Sequence, residues 1–463
     1  MTAAYQLSKA GVPVTVLEAS DCVGGLARTI RLWNQKVDLG PHRFFSKDVR
    51  VNSLWLEVVG SDYAMVDRLT RIFYDGKFYD YPLKGFQALL TMGPGLALQC
   101  VFSYLKAKAS SAPRADTFED WVISRFGSKL YHMFFKTYSE KLWGIPCADL
   151  DSDFAAQRIK RFSLGEAIKN TLGLGKRGHR TLVDRFAYPH GGTGTVYERM
   201  AQAVVRNGGE VRLQTPVRRV VTRGDTVGGV ELQDGSFVDA NHVISTMPLT
   251  VMVKSLFPEP TPELTTALAS LRYRNTILVY LLVEGGGHFP DQWIYIHSEG
   301  VGFGRITNFH NWVPELHAGE KNTILALEYW CYPEDAIWKA DDRDLISEAT
   351  FDLAKTNLVG AAHVLEGHVV RLPRCYPVYQ TGYARHLETI IRHLQPFKNL
   401  TPIGRYGAFK YNNQDHSILM GQLAAENILL CTRKHDLWAV NTDYDDYQES
   451  AMIEADGLKI ISK

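Results

Sequence analysis

Apolar and polar positions along this chain follow two periods, and each period marks a different kind of element. Ala3 to Lys9 reads as the end of a helix stopped at Gly11, and Val12 to Leu17 (VPVTVL) as a buried strand ending at Glu18. A glycine-rich turn, Asp21-Cys22-Val23-Gly24-Gly25, follows, and then Leu26 to Trp33. Trp121, Val122, Phe126, Leu130, Phe134, Phe135 and Tyr138 recur at helical spacing, which predicts a helix over Phe118 to Gly144. A second helix, Val196 to Asn207, is closed by Gly208-Gly209 and leads into short strands at 211–213, 217–222, 229–232 and 243–245, with Asp234-Gly235 as a hairpin turn. Strands are expected again over Asn275–Glu284 and Thr323–Trp330, and a helix over Ser347–Leu358. Gly85 to Leu105 carries no charge and is about as long as a membrane span. Gly93-Pro94-Gly95 interrupts it, so the expectation is a pair of helices and no spanning helix.

Composition narrows the function classes. The 463 residues are 45% hydrophobic and 22% charged, which fits two or three globular domains and excludes extended disorder. Lys and Arg (51) balance Asp and Glu (50), which argues against nucleic acid as the partner. The six cysteines form no CxxC pair, so neither a zinc ribbon nor a disulfide scaffold is favoured, and the compartment reads as reducing and cytoplasmic. Contact with a membrane surface is the less favoured alternative. The fifteen histidines form no spaced set with cysteines, and H-E-x-x-H and G-x-S-x-G are absent, so no metal and no serine nucleophile are expected. Gly191-Gly192-Thr193-Gly194 lacks the lysine of a phosphate-binding P-loop and is expected to turn near the substrate cavity.

The opening helix, strand and acid have the order of the second half of a dinucleotide-binding unit, in which the acid follows the first glycine by about 20 residues. The first strand and its G-x-G-x-x-G turn would lie just before Met1, so the unit reads as a truncation or as a start placed at an internal methionine. Glu18-Ala19-Ser20-Asp21-Cys22-Val23-Gly24-Gly25-Leu26-Ala27-Arg28-Thr29 closely resembles the second signature of the flavin amine oxidase and protoporphyrinogen oxidase superfamily. The resemblance implies FAD as cofactor. Glu18 would bind the adenosine ribose hydroxyls, and Gly24, Gly25, Arg28 and Thr29 would meet the pyrophosphate. A carboxylate can accept two hydroxyl protons, glycines let backbone N–H groups approach phosphate, and an arginine presents a fixed fork to anionic oxygen.

Asp38 to Phe44, with Gly40, Pro41 and His42, resembles the superfamily's loop beside the flavin ring. Thr215-Pro216-Val217 resembles the strand whose backbone contacts the adenine, and Ser245-Thr246-Met247-Pro248 a second strand end near the cofactor. Thr401 to Phe409, Asn413-Gln414-Asp415 and the helix predicted over Ser417–Leu430 resemble the C-terminal flavin motif, with Gly404, Arg405 and Asp415 beside the cofactor. The implied fold is α/β: a Rossmann-like FAD-binding domain of the two-dinucleotide-binding type, N-terminally truncated, with an inserted mixed α+β substrate domain. FAD-binding segments are expected at 1–75, 191–250 and 396–463, a mostly helical cap at 76–190, and a substrate-binding sheet with helices at 251–395.

Two branches of the superfamily compete. One passes hydride from an organic substrate to flavin N5, as protoporphyrinogen and amine oxidases do; the other, the UDP-galactopyranose mutases, isomerises a nucleotide sugar. Gly40 to Phe44, Tyr138 to Gly144, Arg158-Ile159-Lys160-Arg161 and Gly404-Arg405-Tyr406-Gly407 resemble mutase motifs. A nucleotide-sugar diphosphate needs cations and stacking aromatics, and Arg158, Arg161, Trp143 and Tyr376 are of those types. Against the mutase, Phe409 stands where a tyrosine is usual and Asn413 where an aspartate is usual. Losing a phenol donor to a buried phosphate oxygen costs about 1.5 to 3 kcal/mol. Tyr81-Pro82-Leu83-Lys84 and Trp143-Gly144-Ile145-Pro146 fit protoporphyrinogen-oxidase-like proteins better, so the oxidoreductase reading is preferred. Its candidate catalytic residues are His42, Arg158, Arg161 and Tyr376. If Arg158–Arg161 and Lys176–Arg180 line one cleft, the small-molecule substrate is anionic. The remaining alternative is an inactive, truncated fragment.

Overall fold

The computed structural model describes residues 1–83, 85–109, 116–152, 185–256, 260–441 and 451–460. Arg158, Arg161 and Lys176–Arg180 lie outside the described residues. The chain forms a mixed helix and strand fold whose largest sheet has seven strands. Their order is Val364–Pro377, Tyr273–Val283, Thr323–Cys331, Arg305–Asn308, Trp293–Ile296, Thr70–Tyr74 and Lys77–Asp80. All neighbours are antiparallel except Trp293–Ile296 and Thr70–Tyr74, which run parallel. The sheet thus takes strands from both sides of residue 75, where a segment break was expected.

Every residue of Tyr273–Val283 is buried, because this strand has a core on each face. Leu278, Tyr280 and Leu282 point into one cluster with Trp330, Leu372 and Trp293, while Ile277, Val279, Leu281 and Val283 point into another with Leu345, Ala349 and Leu353. The latter three come from the helix Asp342–Thr356, which covers that face. Each such side chain contributes on the order of 1.5–3 kcal/mol by burial, so the alternation of faces fixes the register firmly.

Two short parallel pairs carry the nucleotide-binding signals of the sequence: Thr15–Leu17 beside Glu210–Arg212, and Val243–Ser245 beside Leu400–Pro402. The strand at Thr15 is shorter than the apolar run that predicted it. The helix Thr2–Lys9 packs on the helices Gly194–Arg206 and Gln414–Leu429. Its small residues serve that contact: a Cβ on Gly421 would stand 2.8 Å from Thr2 Cβ and 3.1 Å from the Ala3 nitrogen.

The helix expected over Phe118–Gly144 is broken instead into Phe118–Phe126, a turn at Gly127, and Thr137–Trp143 beyond a wider π-helical stretch at Tyr131–Lys136. Gly127 has φ +81°, and a Cβ there would meet the Ser103 backbone at 2.7 Å. The break therefore lets this segment press on the helix Pro94–Ala109. Gly85–Met92 and Pro94–Ala109 are the expected helix pair. Among the described residues no helix is long and apolar enough to cross a membrane.

Candidate active site

A cavity of about 2100 Å³ gathers residues from both ends of the chain. Common small-ligand pockets reach about 1000 Å³, so this one has room for a dinucleotide and a second molecule. Glu18, Gly24, Gly25, Arg28, Pro41, His42, Val217, Gly404, Arg405 and Asp415 all line it. Thr29, Gly40 and Tyr376 do not.

Glu18 sits where the strand Thr15–Leu17 ends, and its Oε1 accepts the Ser20 N–H at 2.8 Å, which orients the carboxylate. Gly24 and Gly25 both have positive φ (+105° and +57°), and a Cβ on Gly25 would meet nothing within 4 Å. That backbone is open to a ligand. The Nε of Arg28, the Oγ of Ser245 and the Nδ1 of His42 are buried without a hydrogen-bond partner, and all three residues line the cavity. Orphaned donors and acceptors around a glycine turn suit the phosphates and hydroxyls of a dinucleotide.

Thr29 was expected at the pyrophosphate, but its hydroxyl is engaged elsewhere. It donates to Asp38 Oδ1 at 2.5 Å and accepts the Gly194 N–H at 2.9 Å, tying the hairpin Thr29–Asp38 to the start of the helix Gly194–Arg206. Asp38 also accepts the Tyr188 hydroxyl at 2.6 Å and the Thr193 N–H at 3.3 Å. Burial pushes its pKa up to about 7, with those three hydrogen bonds opposing.

The loop that follows presents His42 to the cavity. Burial, and then the charges of Arg305 and Arg405, push its pKa down to about 3, so its imidazole is neutral at ordinary pH. Arg305 was not evident from the sequence. It makes a bidentate pair with Glu328, both bonds at 2.6 Å, in which Glu328 is only 2% exposed. Burial works against the Arg305 charge, but the Glu328 carboxylate more than offsets it and holds the pKa well above normal. A Cβ on Gly40 (φ +110°) would lie 3.4 Å from Glu328 Oε1 and 3.7 Å from His42 Cε1, so this glycine lets the loop close over the ion pair.

Arg405, expected beside the flavin, is itself held rigidly. Its Nε donates to the Cys375 carbonyl at 2.7 Å and its Nη1 to the Asn412 carbonyl at 2.9 Å. Its guanidinium lies 4.7 Å from the Tyr376 ring centroid and 4.3 Å from that of Tyr411. Tyr376 stacks on Tyr411 (5.5 Å, 26°) and meets Trp143 edge-on at 6.1 Å. It stands behind Arg405 and Tyr411 as packing, with Tyr411 and Trp143 forming the cavity surface.

A second wall is aromatic. Tyr138 stacks on His297 (4.6 Å, 15°) and meets Tyr295 and Trp330 edge-on at 5.6 and 5.7 Å. In the sequence Tyr138 belonged to the helical repeat and to the run Tyr138–Gly144 that resembles a mutase motif. Burial, and then Lys141, push the pKa of His297 down to about 3. Arg43, Lys47 and Arg68 complete a basic sector, and in all eight Arg and Lys against three carboxylates line the described cavity.

Residues 1–429 match the family model described as flavin containing amine oxidoreductase. The chain belongs to this flavin-dependent family. Over 277 residues it is 26% identical to amine oxidase [flavin-containing] B of Cavia porcellus, covering 58% of this chain and 52% of that protein. Over 199 residues it is 25% identical to a protein assigned as a UDP-galactopyranose mutase in Klebsiella pneumoniae, covering 40% and 49%. The chain thus spans about half the length of the curated relatives it matches. In fold, this chain is similar to a crystal structure of reduced UDP-galactopyranose mutase, with TM-score 0.82, 20% identity and 95% of both chains covered.

Proposed function

We propose that the protein is an FAD-dependent oxidoreductase that oxidises an anionic organic substrate, with FAD as the hydride acceptor. The observation that carries this reading is the convergence of Glu18, the Gly24-Gly25 turn and Arg28 with Gly404, Arg405 and Asp415 around one cavity. Glu18 would take the ribose hydroxyls, Gly24, Gly25 and Arg28 the pyrophosphate, and the backbone at Val217 the adenine. When bound, the flavin supplies the redox chemistry, and the residues of the chain bind and orient the substrate.

His42 enters that chemistry as a neutral imidazole with an open Nδ1, able to accept or donate one hydrogen bond and carrying no charge. The Arg305–Glu328 pair stays charge-balanced beside it, and Arg405 is fixed by two carbonyls. The aromatic wall of Tyr138, Tyr295 and His297 excludes water. Nothing in this set is a strong base, which suits hydride removal assisted only by orientation.

A second reading, a flavin-dependent mutase acting on a nucleotide sugar, is favoured by one observation, the excess of cations along the cavity. Phe409 weighs against it: fully buried against Tyr273 at 5.0 Å, it offers no hydroxyl.

The test is a visible spectrum of the purified chain after incubation with FAD and desalting. A retained flavin band is expected, and Glu18→Ala should weaken FAD affinity by tenfold or more, about 1.4 kcal/mol or above. A colourless wild-type protein, or unchanged affinity in the variant, removes the basis of the cofactor assignment. Conversion of UDP-galactopyranose to its furanose form by the dithionite-reduced protein would decide for the second reading.

A further inference from the structure

The helix pair Gly85–Met92 and Pro94–Ala109 contributes nothing to the cavity, and the second helix turns an apolar stripe to water. Leu98, Phe102 and Leu105 follow one another at steps of four and three residues, which puts them on one helix face, and all three are exposed. Phe102, at 70%, is the most exposed large apolar side chain among the described residues, and Leu90 of the first helix is 65% exposed. The opposite face is fixed. Cys100 is fully buried, with its sulfur 3.9 Å from that of Met92, and Ser103 Oγ accepts the Lys129 N–H at 3.0 Å. The helix cannot roll the stripe inward without breaking those contacts.

Charge indicates what covers such a stripe. Between Asp80 and Asp116 the sequence carries Lys84, Lys106, Lys108 and Arg114 and no Asp or Glu. Lys106 and Lys108 are exposed in the last turn of the second helix, and Lys77 Nζ donates to the Thr91 carbonyl near the end of the first, at 3.4 Å. A twofold contact with another copy would set these cations against themselves, with no carboxylate of the segment to receive them. An anionic bilayer surface offers acyl chains and negative headgroups together, which is what an apolar stripe flanked by lysines matches. We propose that this helix pair is a docking face for an anionic lipid surface, with Leu98, Phe102 and Leu105 at the headgroup boundary and Lys106 and Lys108 among the headgroups. The sequence alone made membrane contact the less favoured alternative; the exposure of the stripe reverses that order. The second helix has 16 residues and so is about 24 Å long, short of the roughly 30 Å hydrocarbon core, and it lies on the bilayer. Tyr81 and Leu83 line the cavity and stand just before the pair in the chain, so docking holds that part of the cavity wall near the lipid.

The experiment is co-flotation of the purified full chain with vesicles of phosphatidylcholine, alone or with one-third phosphatidylglycerol, and sedimentation velocity on lipid-free samples. The expected result is binding to the anionic vesicles and at least about tenfold weaker binding to phosphatidylcholine alone. Leu98→Ser/Phe102→Ser and Lys106→Gln/Lys108→Gln should each weaken the binding at least about tenfold. Both double variants change exposed positions, so thermal midpoints should stay at the wild-type value. Phe351→Ser is the control: it removes an exposed ring from the helix Asp342–Thr356 and should bind as wild type does. Binding to neither vesicle, equal binding to both, or an equal loss in Phe351→Ser would overturn the docking face. Binding untouched by either double variant would overturn it as well, because charge alone or apolar contact alone would then hold the protein. A lipid-free wild-type dimer that dissociates in Leu98→Ser/Phe102→Ser, with no vesicle binding by either protein, would give the face to a second copy instead.

Discussion

Replacing Glu328 by Gln removes one charge and keeps the shape, so it isolates what the buried ion pair does. Glu328 is 2% exposed and Arg305 is 15% exposed, and they share two bonds of 2.6 Å. In the variant one bond survives as a neutral acceptor, and the guanidinium remains buried without a counter-charge near Arg405 and the neutral His42. Breaking a buried pair in this way costs about 3–5 kcal/mol. Arg305 also touches the cavity, where water can partly solvate it, so about 3 kcal/mol is expected. The assay is urea unfolding followed by tryptophan fluorescence, with Arg305→Met/Glu328→Leu as the companion. The double variant should recover to within about 1 kcal/mol of wild type, since an apolar pair of similar volume often replaces a buried ion pair without loss. If Glu328→Gln differs from wild type by less than about 0.5 kcal/mol, the pair is not the element that holds the two strands and the Gly40 loop together.

Three further outcomes follow from the same region. Asp38 has a folded pKa of about 7 against about 3.9 unfolded, so its contribution to stability is fully present below pH 4 and lost as pH rises to about 7. Asp38→Asn should flatten that slope in thermal midpoints between pH 4 and 8, and an unchanged slope would contradict the assignment. Gly40→Ala should destabilise by about 1–3 kcal/mol through its φ of +110° and its contact with Glu328, read in the same urea assay; a neutral result would mean the loop relaxes freely. His42→Gln should leave the pH dependence of turnover between 5 and 8 unchanged, because the wild-type imidazole does not titrate there.

Much of the glycine-turn wall of the cavity was legible because it is local. A strand, an acid, two glycines and an arginine fall within eighteen residues, and the acid, both glycines and the arginine all line the cavity. Locality carries no long-range contact: Thr29 belongs to the same run, and its hydroxyl serves Asp38 and Gly194, which lies 165 residues away. The buried strand Tyr273–Val283 was readable as a continuous apolar run, whereas Val364–Pro377 was not, because its polar residues alternate with half-buried ones and resemble loop.

The Arg305–Glu328 pair shows why the rest of the cavity resisted reading. The two residues face each other directly in the register of adjacent antiparallel strands, so their contact is set by pairing between segments and by no motif in either. Glu328 stands among nine consecutive buried positions, where an acid without a known partner reads only as an anomaly. That anomaly was the available signal, because a carboxylate inside an apolar strand requires a buried cation.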